Sequence, residues 1–269
     1  MKYKTKSILL WIFAVIFMSG IAIYQRLTGP THPIRGKVNI ENTIIKYKLL
    51  TSYGGDDDAT ISFEVPDESI EGRFIYKRFK SHDEWSEVAM PRNGENLIAK
   101  IPHQPPAGKV IYKIILTKNN KNYILTEEPV IIRFKGGVPA YVLIPHIIFM
   151  FLAMIFSLRT GFEALIKGHN TFSYTRITLF TLLIGGLIFG PIVQKFAFGA
   201  FWTGWPFGHD LTDNKTIVAF VFWLIAFINL YKNREKRGWA LVAAVVLLAI
   251  YLIPHSVLGS EIDYTAVGN

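Results

Sequence analysis

The chain contains no cysteine among its 269 residues. That removes disulfide staples, thiolate metal sites and a cysteine nucleophile together. The glycine and nucleophile signatures of common enzyme classes are missing as well. No GxSxG elbow, HExxH pair, P-loop or Rossmann glycine pattern occurs. Charged residues are scarce inside the long apolar runs, where Asn229 stands out as a polar exception. That scarcity argues against an ion or proton path through a whole membrane. No run carries the mid-membrane histidine pairs of a two-haem helical bundle.

What is present is apolar. Hydrophobic residues make up 51% of the chain, and a mean hydropathy of +0.29 fits membrane spans joined to one water-soluble domain. The formal charge of +9 raises the question of nucleic acid, and its distribution answers it. Residues 31–137 carry 16 basic against 14 acidic side chains, close to balance. Segments 1–6, 159–176 and 232–237 carry ten basic residues against Glu163 and Glu235, a net of +8. The excess lies in three short segments flanking apolar runs, as the positive-inside rule requires of cytoplasmic connections. It gives no support to a nucleic-acid partner.

Lys2, Lys4 and Lys6 precede an apolar run over 7–24. At 18 residues this is longer than the apolar core of a typical secretory signal, and no small-residue cleavage site occurs between it and Gln25-Arg26. Residues 1–30 therefore read as a cytoplasmic tip and an uncleaved signal anchor, and the chain beyond residue 30 is exported.

Residues 31–137 read as an all-β domain. Stretches rich in β-branched and aromatic residues at 43–51, 59–65, 73–79, 86–90, 96–101, 109–118, 123–126 and 130–134 alternate with turn formers. Gly54-Gly55-Asp56, Asn93-Gly94 and Asn119-Asn120 are the clearest of these turns. Seven or eight strands in about a hundred residues is the pattern of an immunoglobulin- or fibronectin-like sandwich. The stretch from Pro105 to Tyr112 resembles the entry to the sixth strand of those folds, where a tyrosine closes a corner.

Four more spans are expected at 139–158, 177–193, 214–231 and 238–255, forming a transmembrane bundle within 138–258. Each has 17–20 residues, enough for a hydrocarbon core of about 30 Å at 1.5 Å per residue when the flanks snorkel. Both connections on the basic side are cytoplasmic. The amino terminus is thus inside, while the β-domain, a loop at 195–215 and an acidic tail at 259–269 lie outside. The membrane is a plasma (inner) membrane of bacterial type, and the bilayer is the first partner. In the third span Gly186 and Gly190 have the small-xxx-small spacing of a helix-packing face. Pro191 is expected to end or bend that helix.

The loop 195–215 is the most distinctive stretch. It interleaves Phe196, Phe198, Phe201, Trp202, Trp205 and Phe207 with glycines and Pro206, then turns polar at His209, Asp210 and Asp213. Trp202, Trp205 and Phe207 are suited to the lipid–water boundary. Thr212 and Asp213 are the candidate N-caps of the helix beginning beyond the loop.

Topology sorts the seven histidines. His32, His82, His103 and His169 fall among polar residues and read as solvated. His146, His209 and His255 share the outer level of the membrane region. His146 lies about 10 Å along its span by helical rise. With Asp210 and Asp213 these three offer nitrogen and oxygen donors for a transition metal, and His146 with His255 could ligate a b-type haem. Glu261 or Asp263 of the tail could join them. The competing reading is structural, with the histidines satisfying carbonyls freed near Pro145 and Pro254. Two functions are open. The first is a non-enzymatic scaffold, assembly or interaction component that meets a membrane or exported protein partner. The alternative is a redox or metal-handling membrane protein using the histidine–aspartate set.

Overall fold

A computed structural model describes residues 3–254 and 259–266. The chain divides into two compact units. One comprises Pro30–Gly137, Ala197–Gly199 and Ser260–Asn269; the other comprises Met1–Gly29, Val138–Phe196 and Ala200–Gly259.

The first unit is a β-rich region of three sheets. Its strands are β1 (Ile34–Ile40), β2 (Thr43–Leu49), β3 (Ser52–Tyr53), β4 (Ala59–Glu64), β5 (Glu71–Arg78), β6 (Ser86–Ala89), β7 (Arg92–Asn93), β8 (Asn96–Ile101), β9 (Lys109–Lys118), β10 (Lys121–Ile124) and β11 (Val130–Phe134). β1 and β2 form an antiparallel pair, and β4, β8 and β7 form a three-stranded sheet. The largest sheet runs β3-β11-β9-β5-β6, with β10 also on β9. Its pairings are antiparallel except that of β3 with β11.

Alternation explains why these segments are strands. β4 buries Ala59, Ile61 and Phe63 and exposes the residues between them. β9 buries Val110, Tyr112, Ile114 and Leu116 on one face. Side chains of this kind from all three sheets join one apolar cluster, each contributing about 1.5–3 kcal/mol by leaving water. The turn between β9 and β10 places Asn119 and Asn120 at φ +50° and +60°, the left-handed conformation asparagine tolerates best after glycine. Tyr112 is fully buried, and burial pushes its phenol far above the usual range. Its hydroxyl donates to the carbonyl of Leu50 at 2.8 Å, 62 residues upstream, instead of closing the corner at the start of its own strand.

The second unit is helical: α1 (Tyr3–Thr28), α2 (Ala140–Leu165), α3 (Thr171–Leu182), α4 (Gly190–Phe198), α5 (Leu211–Lys232) and α6 (Gly238–Leu252). A π-helical segment, Leu183–Phe189, joins α3 to α4 without a break. Among the described residues, the continuous helix Thr171–Phe198 is one of four that are long and apolar enough to cross a membrane; the others are α1, α2 and α5. α6 is apolar but has 15 residues, or about 23 Å of rise. It ends three residues before the expected boundary because Ile253 is extended (φ −74°, ψ 120°) ahead of Pro254, and a residue before proline is pushed out of the helical region. His255 lies outside the described residues.

Two further expectations are corrected. Of the end or bend expected at Pro191, the end does not occur, and the third span runs on to Phe198. The π-helical turns ahead of it have already replaced the i→i−4 ladder that a proline would otherwise interrupt, and the Gly190 amide bonds the carbonyl of Gly185, five residues back. The segment 159–176 is not a loop. Arg159 and Glu163 belong to α2, and the connection to α3 is only the short stretch 166–170.

Candidate functional site

The loop between α4 and α5 is held by its own carboxylates. Asp210 is the N-cap of α5, its Oδ1 accepting from the Thr212 amide at 2.8 Å. The cap is thus Asp210, where Thr212 or Asp213 was expected, because the helix begins at Leu211. That leaves the Asp213 carboxylate free to turn back on the loop. Its Oδ2 accepts from the amides of Thr203 (2.7 Å) and Gly204 (2.9 Å) and from Gln194 Nε2 (3.1 Å). Asp210 Oδ2 lies 3.2 Å from the Thr203 hydroxyl, so both aspartates meet at one residue. Gly204 is required for the approach, since a Cβ there would lie 2.6 Å from Asp213 Cβ. With the loop clamped in this way, Phe201, Trp205 and Phe207 project outward, Phe207 being 83% exposed. Trp202 is turned inward enough to donate its indole N–H to the carbonyl of Trp205 at 3.1 Å.

Of the expected histidine set, His146 and His209 are described and His255 is not. His146 Nδ1 lies 2.9 Å from the carbonyl of Gly185 in the π-helical segment, which also accepts the Gly190 amide. His209 is exposed in the loop. Among the described residues no group of three or more histidine, cysteine or acidic side chains is placed to hold a metal ion. The tail also goes elsewhere. Glu261 pairs with Lys109 at 2.5 Å and with Lys80; burial opposes its charge, but the two ammonium groups hold its carboxyl below the usual range. The Asp263 side chain bonds the Thr265 amide and hydroxyl instead.

The glycine face is shifted by the π-helical turns. A Cβ on Gly185 would lie 2.9 Å from the Met150 amide nitrogen and Phe149 Cβ, and one on Gly186 would lie 2.8 Å from Thr216 Cγ2. At Gly190 nothing comes closer than 3.5 Å. The close approach of helices is therefore at Gly185 and Gly186.

Two groups of side chains emerge that sequence patterns did not single out. The first is centred on Arg159 and Glu163, both fully buried and paired at 2.7 Å. Glu163 also accepts from the Tyr3 hydroxyl (2.5 Å) and the Asn170 amide (3.0 Å). Arg159 donates to Ser7 Oγ at 2.9 Å and lies over the rings of Trp11 and Tyr174. These contacts tie α1 to α2 and to the α2–α3 connection. Gly168 leaves the space the Glu163 carboxylate occupies, since a Cβ there would stand 2.1 Å from Oε1.

The second group surrounds Lys215, one turn into α5 and 7% exposed. Its ammonium donates to the carbonyls of Ile253 (3.1 Å) and Pro254 (3.4 Å). Beside it is a cavity of about 40 Å³, lined on its apolar side by Met150, Met154, Leu182, Leu247, Ile250 and Tyr251. Thr212 and Thr216 stand with Lys215 at the polar end.

Compared with protein families, with curated proteins and with solved structures, the chain matches none. The reading of its function rests on these sites alone.

Proposed function

We propose that the protein is a non-enzymatic membrane scaffold that presents an immunoglobulin-like β-sandwich on the outer side of the membrane and holds a protein partner there. The sandwich reading is supported by the strand order. β4 and β8 lie in one sheet and β5, β9 and β11 in another, so the chain changes sheet repeatedly, as in Greek-key sandwiches. The outer placement is supported by charge. The Arg159–Glu163 pair counted on the basic side is buried within α2, yet it contributes one charge of each sign, so the asymmetry of +8 stands without it.

The observation that carries the interaction reading is Trp85. It is 41% exposed beside β6, whose four residues are all exposed. Lys77 and Lys113 each stand 5.4 Å from its ring centroid. An exposed tryptophan flanked by cations is the composition of a protein-binding anchor, and the two lysines select a partner with acidic side chains.

The cysteine-free chain makes the test direct. Single cysteines replace Val88 on β6, Lys46 on β2 or Lys167 in the α2–α3 connection, and intact cells are treated with a membrane-impermeant maleimide that carries a photo-crosslinker. Labelling at 88 and 46 but at 167 only after permeabilisation is expected, with one discrete protein adduct from 88 that is lost when Trp85 is also replaced by alanine, and none from 46. Labelling of Lys167→Cys in intact cells refutes the orientation. Equal adducts at 88 and 46, none at 88, or an adduct at 88 that survives Trp85→Ala refutes the anchor.

A further inference from the structure

We infer that the cavity beside Lys215 binds one anionic phospholipid, its phosphate on the Lys215 ammonium and an acyl chain against Met150, Met154 and Leu247. This goes beyond the scaffold reading and needs only that the helices lie in lipid.

Lys215 is 93% removed from solvent, and its partners are two neutral backbone carbonyls, one at 3.1 Å and one at a marginal 3.4 Å. No carboxylate lies within ion-pair distance of it among the described residues. An ammonium has three N–H donors, so two carbonyls leave one unused. A cation taken out of water is stable only when an anion or a full set of hydrogen bonds compensates it. The chain supplies neither completely, the Asp210 carboxylate acting on it only from beyond ion-pair distance, while Arg159, also buried, has its own carboxylate. Lys215 also borders an open cavity instead of packed side chains.

The cavity selects the kind of anion. Its apolar wall is mostly aliphatic, with two methionines that adapt to a flexible chain. Its polar end holds one cation and two threonines, and Thr216 already donates its proton to the Thr212 carbonyl at 2.9 Å, so its oxygen is left to accept. Depth agrees. Lys215 lies four residues, or about 6 Å of rise, inside the start of α5 at Leu211, next to the exposed aromatics of the α4–α5 loop, which favour the headgroup level. A phosphate at that level is within reach of the ammonium, and the chain attached to it runs down the wall.

Native mass spectrometry of the purified full chain tests this, with phosphatidylglycerol and phosphatidylcholine of the same acyl chains offered in competition. One retained phosphatidylglycerol is expected, preferred about ten- to hundredfold, the range for one charge-assisted hydrogen-bonded contact. Lys215→Met removes the preference and Lys215→Arg keeps it. Leu247→Trp, which fills the wall, weakens both lipids. Thermal melting supplies a second readout: phosphatidylglycerol raises the melting temperature of the parent protein and not that of Lys215→Met, while inorganic phosphate alone raises neither. Equal retention of the two lipids by the parent protein, or an unchanged preference in Lys215→Met, overturns the inference. Stabilisation by inorganic phosphate alone overturns the lipid assignment. None of these measurements depends on a protein partner.

Discussion

Replacing Glu163 by glutamine tests whether the polar group on Arg159 holds the helical unit together. Glu163 is fully buried: its Oε1 accepts from the Tyr3 hydroxyl at 2.5 Å and the Asn170 amide at 3.0 Å, and its Oε2 forms the 2.7 Å ion pair with Arg159. The amide keeps the shape but removes the charge, and Arg159 is left fully buried with the Ser7 hydroxyl and two aromatic faces. Removing one partner of a buried pair costs about 3–5 kcal/mol, because the other charge stays buried and uncompensated. Arg159→Met is expected to cost less, about 2–3 kcal/mol, since Glu163 keeps both of its hydrogen-bond donors. The double variant removes both charges, and its cost falls below the sum of the singles by about 2 kcal/mol, within the range for directly contacting residues. The assay is equilibrium unfolding of the parent, both singles and the double variant in one mild detergent. If the single costs are below about 1 kcal/mol and add within about 0.5 kcal/mol, the pair is neither buried nor coupled, and the reasoning fails.

Glycine packing and acid titration supply further tests. Gly185→Ala is expected to destabilise the helical unit by more than about 2 kcal/mol, because the new methyl meets backbone at 2.9 Å. Gly190→Ala, with 3.5 Å of clearance, is expected to change stability little or to raise it; equal costs at the two positions would contradict the helix contact at Gly185. In the β-rich unit, the Lys118 ammonium and the Ser69 hydroxyl hold Asp67 down to about 2, and the Arg78 guanidinium holds Asp83 to about 2. Both folded values lie below the unfolded reference of about 3.9. The stability these carboxylates contribute is therefore complete above about pH 4 and lost as pH falls towards 2. Carboxyl-detected NMR titration checks this, and a midpoint near 4 at either residue excludes the ion pair assigned to it.

Much of the fold was readable from the chain because its punctuation is local. Strands 96–101, 109–118 and 130–134 coincide with the observed β8, β9 and β11 to the residue; β8 and β9 alternate in burial, and all three end near glycine, proline or paired asparagines. β1 was missed. Arg35, Gly36 and Lys37 dilute its alternation, and its hairpin to β2 turns through Glu41 at φ +54°, a residue that does not announce a turn. What makes Gly36 suitable is visible only across the pair: a Cβ there would run into the ring of Tyr47 at 2.3 Å from its hydroxyl.

The sites were less legible, for a different reason. Arg159 ends an apolar run, and a positive charge there reads as a connection by the inside rule. The signal for its true role was the i,i+4 spacing to Glu163, which places both on one helix face. Lys215 had a comparable signal as a lone cation one turn inside an apolar span, but its meaning depends on the carbonyls of Ile253 and Pro254, just beyond the end of the distant α6. The shared level of His146 and His209 was a statement about depth alone. Depth does not bring side chains to one point, and the Gly185 carbonyl, which also accepts the Gly190 amide, holds His146.

The π-helical segment at Leu183–Phe189 acts as a phase adjuster for the span that contains it. An i→i+5 stretch is an α-helix carrying one surplus residue, and one residue corresponds to about 100° of rotation. Removing that residue would restore an uninterrupted α-ladder, yet it would swing everything beyond Gly190 about the helix axis. Gln194, which now reaches Asp213 and Thr203, would face a different neighbour, and the loop those contacts hold would lose its anchor. The angular position of the aromatic loop is thus set a turn and a half away, by a local change in helical pitch.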